Sequence, residues 1–167
     1  MSQIRFFEDP EFFRRQTLFT TFALLCTLLT IFSPIFQLQA TGKVILEISG
    51  WTASGSLEPL APKSNWLFLQ TIFLFIALVI IAAVVFNYKQ RKRQIMLCRL
   101  SISSLLMAPT MGYAAALSYA DFDKLGVASI YPSYGVAFPI VAIVCLLYAE
   151  KLIRSDIHKL RSMSRFW

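Results

Sequence analysis

The chain has 167 residues, of which 57% are hydrophobic, 14% aromatic and 15% charged, with a mean hydropathy of +0.63. That composition excludes an ordinary soluble domain, and apolar stretches of roughly 20 residues leave little room for a separate catalytic one. The formal net charge is +7, and thirteen of the 16 Lys and Arg fall in three patches, at residues 5–15, 89–99 and 151–165. In such a chain the patches mark topology and contact with anionic headgroups, at about 1 kcal/mol per basic residue near the surface.

The first patch mixes Phe6, Phe7, Phe12 and Phe13 with Arg5, Glu8, Asp9, Glu11, Arg14 and Arg15, and Pro10 divides it into two short pieces. Rings at the acyl boundary and charges among the headgroups are the expected arrangement. The apolar run at 17–38 is too long for a secretory signal core, and Ser33-Pro34-Ile35 is a poor cleavage site, so it reads as a retained span. Pro34 is expected to kink its outer end. The outer loop at 39–64 contains Lys43-Val44-Ile45-Leu46-Glu47-Ile48 between Gly42 and Gly50. That composition predicts a short hairpin or edge strand, with Trp51 at the membrane interface.

A second span is predicted at 65–86, with Trp66 and Tyr88 at its two ends as an aromatic belt requires. The link at 87–99 carries Lys89, Arg91, Lys92, Arg93 and Arg99, and its brevity makes the flanking spans an antiparallel hairpin. The third span, 100–119, places Ala108, Gly112 and Ala116 at four-residue spacing on one face. Small residues so placed admit a closely packed helix, from the same bundle or from a partner. Pro109 is expected to bend this helix. The second outer loop, 120–133, has Asp121, Asp123 and Lys124, which read as a solvated turn rather than a cation site. The fourth span, 134–149, is interrupted by Pro139, and its helix continues into a basic tail at 150–167. There Leu152, Ile153, Ile157, Leu160 and Met163 recur at helical spacing while Lys151, Arg154, Lys159 and Arg161 face elsewhere.

The outer loops hold only Lys43, Lys63 and Lys124, so both ends are expected in the cytoplasm. The predicted fold class is therefore an all-α integral membrane protein, a four-transmembrane-helix bundle with N-in/C-in topology. Its additions are a first outer loop with β character and an amphipathic basic C-terminal helix.

None of the four spans contains Asp, Glu, Lys, Arg or His, which argues against ion-coupled transport. His158 has no second His near it for a metal, and the chain shows no phosphate loop and no nucleophile with a base. No catalytic residue, metal or cofactor is expected, and the reading is non-enzymatic. Glu150 and Asp156 are expected to pair with Arg154, Lys159 or Lys151 across helix turns. Cys26, Cys98 and Cys145 include no CxxC pair and none in an outer loop, against a disulfide oxidoreductase. Cys98 is expected to react with impermeant thiol reagent from the cytoplasmic side only. Lys89, Arg91, Lys92, Arg93, Arg99, Arg154, Lys159 and Arg161 are the candidate contacts for a partner or for anionic lipid. Topology and lipid account for these charges without nucleic acid.

Two segments resemble a family known from Bacteroidota, the domain of unknown function 4293. They are the basic link, Tyr88-Lys89-Gln90-Arg91-Lys92-Arg93-Gln94-Ile95-Met96-Leu97-Cys98-Arg99-Leu100, and the tail, Ala149-Glu150-Lys151-Leu152-Ile153-Arg154-Ser155-Asp156 through Lys159-Leu160-Arg161. The first is similar to that family's basic stretch, Gln and Leu-Cys-Arg, and the second to its ending. The resemblance covers nearly the whole chain, and departs from it in the longer, more acidic start around Glu8 to Phe13. It implies a bacterial inner (cytoplasmic) membrane protein and no activity. The expected role is an accessory or scaffold subunit among other integral membrane subunits, in protein export, envelope biogenesis or a respiratory assembly. The alternative is a small carrier for an apolar substrate such as lipid or quinone.

Overall fold

A computed structural model describes residues 10–40, 43–55, 65–87, 90–120 and 129–163. Helix α1, Pro10–Phe32, is followed by strands β1, Phe36–Ala40, β2, Lys43–Ile48, and β3, Ala53–Gly55. Helices α2, Asn65–Phe86, and α3, Arg91–Ala120, come next. Strand β4, Ser129–Pro132, then leads through a 3-10 turn, Tyr134–Val136, into α4, Ala137–Met163.

Helix α2 covers the expected range, but the other three boundaries differ for identifiable reasons. Pro34 does not kink a longer helix. The helix ends at Phe32, and Phe36-Gln37-Leu38-Gln39, expected within and just after the first span, forms a strand instead. Its strict apolar-polar alternation is the period-2 signal of a half-buried strand. Helix α3 begins within the basic link, at Arg91, and runs unbroken through Pro109. Pro139 does not interrupt α4 but sits in its first turn, where a missing N–H costs nothing.

The helices form a ring. Helix α1 packs on α2 and α4, and α3 packs on the same two. One continuous core runs down its middle, from Ile31 through Leu74, Ala77, Ala108 and Ala142 to Ile153. Hydroxyls in it are satisfied locally: Thr27 donates to the Ala23 carbonyl and Thr30 to that of Cys26. Ser104 Oγ crosses from α3 to the Phe73 carbonyl of α2 at 2.7 Å. Outward faces are apolar as well, with Leu18, Phe22, Phe68, Val79, Leu106 and Val144 all exposed. A soluble monomer does not carry such a surface. Helices α2, α3 and α4 are each long and apolar enough to cross a membrane.

One end of the ring is capped by a four-stranded antiparallel sheet in the order β3-β2-β1-β4. The two connections at that end therefore share one sheet, where a hairpin in the first alone was expected. The pleat sorts its residues. Leu46, Leu38 and Ile130 align across three strands and pack with Ala115, Ala116 and Tyr119 of α3. The alternate row, Ser54, Glu47, Gln37 and Tyr131, is polar, and Gln37 Nε2 donates to Glu47 Oε1 at 3.1 Å. Backbone bonds tie the sheet to the ring: Ile35 N–H to the Ile48 carbonyl, Ser133 N–H to that of Ile35, and Gly135 N–H to that of Pro34.

Candidate functional site

The opposite, basic end is where the charged residues meet. Helices α2 and α3 are joined there by a tight connection in which Asn87 Nδ2 donates to the Ala83 carbonyl. Gln94, one turn into α3, is buried and donates from Nε2 to the Val84 carbonyl at 3.0 Å. Carbonyls in the last turn of a helix have no partner within it, so Gln94 caps α2 from outside.

One turn further along the same helix stands Cys98, fully buried. It is closed to reagent from either side, which corrects the expectation that it reports topology. Its neighbour Arg99 points outward and donates from Nε to Glu150 Oε1 of α4 at 3.0 Å. Arg154, one turn beyond Glu150, donates from Nη2 to the same oxygen. Glu150 thus has the expected same-helix partner, plus a second from α3. The carboxylate side chain is 10% exposed, while Arg99 and Arg154 are 60% and 53% exposed. Such water-facing guanidiniums each gain only about 1 kcal/mol from the pair. A single carboxylate offsets one of two guanidiniums, so the cluster keeps an excess positive charge.

Of the other expected contact residues, Lys92 and Arg93 are exposed on the first turn of α3, and Arg91 is half-buried there. Lys89 and the side chains of Lys159 and Arg161 lie outside the described residues, as do Asp121 and Asp123. His158 is exposed. Among the described residues no group of three His, Cys, Asp or Glu is placed to hold a metal.

The small-residue face of α3 turns inward. Ala108 is in the ring's core and Ala116 lies under the sheet, both fully buried. Gly112, between them, meets α2 and β1: a Cβ there would stand 2.6 Å from Gln70 Oε1 and 3.2 Å from Phe36 Cε2. The face therefore packs on helix α2, through Gln70, and on the sheet as well.

Gln70 lies well inside the second predicted span, and it is fully buried. Its Nε2 donates to the Ser49 carbonyl in the β2–β3 turn at 3.1 Å. Among the described residues no N–H or O–H donor reaches its Oε1, which stands beside the Cβ-free face of Gly112. Gly50 follows Ser49 into the mouth of the ring. Its N–H donates to the Ile31 carbonyl, and its own carbonyl accepts from Thr71 Oγ1 at 3.1 Å. A Cβ on Gly50 would lie 2.6 Å from Ile31 Cα and 2.8 Å from Leu74 Cδ1.

The two segments that carry the family resemblance are thus the two that touch. Gln94, Cys98 and Arg99 come from the link and Glu150 and Arg154 from the tail, and together they close the basic end of the ring. No curated protein matches the chain. The pattern of one family does, over residues 13–166, and the chain belongs to that family, described as a domain of unknown function (DUF4293).

Proposed function

We propose that this chain crosses the bacterial inner membrane four times, with N- and C-termini and basic link in the cytoplasm, as a non-enzymatic accessory or scaffold subunit. The observation behind this reading is the division of the fold. The ring is filled by an apolar core from Ile31 to Ile153, with hydroxyls spent on backbone carbonyls. What remains for recognition is at the ends: the polar row of the sheet on one side and the basic turns of α3 and α4 on the other. Helices α2 to α4 supply three crossings, and the apolar part of α1, Gln16–Phe32, the fourth. Most Lys and Arg lie at the basic end and only Lys43, Lys63 and Lys124 in the segments of the sheet end, which orients the protein with the basic end inside. Candidate hosts are export, envelope-biogenesis and respiratory complexes of Bacteroidota.

The test is to tag the protein at its native locus, extract it in mild detergent and size it on a native gel. A discrete large species with stoichiometric integral membrane subunits is the expected result. A small species carrying lipid or quinone would replace this reading with that of an apolar-substrate carrier.

A further inference from the structure

Arg99 and Arg154 come from different helices and converge on one oxygen of a nearly buried carboxylate. Each commits one N–H to Glu150, and the rest of each side chain is more than half exposed. We infer that this pair is a binding site for the phosphate of an anionic phospholipid headgroup, in the leaflet at the basic end of the ring.

Three observations converge on it. Guanidinium forks match phosphate oxygens in a plane and hold them by paired N–H donors. Glu150 fixes both forks in advance, while leaving the cluster one positive charge in excess. Depth is the second. From Arg99 to Ala120 along α3 is about 32 Å at 1.5 Å per residue, close to the roughly 30 Å of a hydrocarbon core. Ala137 to Arg154 along α4 is about 26 Å, to which the 3-10 turn adds roughly 6 Å. Both guanidiniums therefore stand at headgroup level. The third is the surface below them. Leu106 lies two turns from Arg99 and Leu147 two turns from Arg154, toward the sheet end, and they are 55% and 52% exposed. Acyl chains leaving a phosphate held there meet apolar side chains, which a free phosphate ion would not use. Lys151, exposed one turn before Arg154, adds to the attraction.

This site rests on the membrane reading above, and its test is arranged to fail separately. The purified full-length protein in mild detergent is offered equal amounts of phosphatidylglycerol and phosphatidylcholine, and bound lipid is counted by native mass spectrometry. The wild type selects phosphatidylglycerol. Removing all three charges, Arg99→Gln, Glu150→Gln and Arg154→Gln together, leaves no buried charge unpaired and lowers that selectivity roughly tenfold. Glu150→Gln alone raises it severalfold, a change in the opposite direction that loss of fold does not produce. Lys43→Gln, which removes a positive charge at the sheet end, leaves it within about twofold. Equal loss in that control, or none in the triple variant, overturns the site. Displacement of the lipid by about 10 mM inorganic phosphate would assign it to a soluble anion and overturn the lipid reading. Labelling of the basic end from outside the cell would sink the orientation alone, because selectivity in detergent does not depend on it.

Discussion

Gly112 and Gln70 are an interlocked pair in the middle of a packed interior. The amide oxygen stands where a Cβ on residue 112 would have to go, and Phe36 closes the third side. Gln70 is fully buried and its amide nitrogen is held by Ser49, so it has nowhere to swing. Gly112→Ala is expected to cost about 2 kcal/mol as overpacking. Gln70→Ala loses one hydrogen bond and leaves the Ser49 carbonyl unpaired, for about 1–2 kcal/mol. Because the second change removes the obstacle to the first, the double variant is expected to fall short of the sum by roughly 1 kcal/mol or more. Chemical unfolding in mild detergent measures all three, and strict additivity would show that the two side chains do not compete for the same space.

At the scale of elements, two short turns do more than join their neighbours. The β2–β3 turn inserts Gly50 between α1 and α2, where any Cβ meets the backbone of Ile31. Backbone does not yield as a side chain does, so Gly50→Ala is expected to cost about 3 kcal/mol and loosen the sheet from the ring. Proteolysis of the sheet end should accelerate along with the fall in melting temperature. Gln94→Ala acts at the other end by stripping the cap from α2, for about 1–2 kcal/mol, while Gln90→Ala on an exposed position leaves the melt unchanged. The local sequence made α2 legible to the residue by an uninterrupted apolar run, and it announced β2 by its β-branched run. It also carried the alternation of Phe36-Gln37-Leu38-Gln39, which an adjoining apolar helix concealed. Pairing of β1 with β4 had no such signal, because strand partners far apart in a single sequence leave no local trace. The site was legible by halves for the same reason. Arg154 and Glu150 are one helix turn apart and visible as a pair. Arg99 stood out only as a charge, since its partner lies 51 residues away.

For the molecule as a whole, the ends differ in kind, and that difference sets how its orientation is measured. Native cysteines do not serve, since Cys26, Cys98 and Cys145 are all buried. Impermeant maleimide is expected to leave the native protein unlabelled from either side until it is denatured. In a background with those three replaced by Ala, Lys92→Cys should react only when the cytoplasmic face is opened, and Ser54→Cys from outside. The reverse pattern would invert the protein, and labelling of both from one side would remove a crossing.

The sheet also imposes an order in time. Strand β1 pairs on one edge with β2, the next strand in sequence, but its other edge belongs to β4. Roughly 90 residues of synthesis separate Ala40 from Ser129, about 5 to 18 s at ordinary elongation rates. In the proposed topology, β1 presents an unpaired edge on the outer side through that interval, while α2 and α3 are still being made. Closing it ties the strand after the first helix to the strand before the last, so the ring of helices is completed through the sheet at its end. A nascent chain halted before β4 is thus an open-edged half-sheet, and its fate depends on what is at hand to cover that edge.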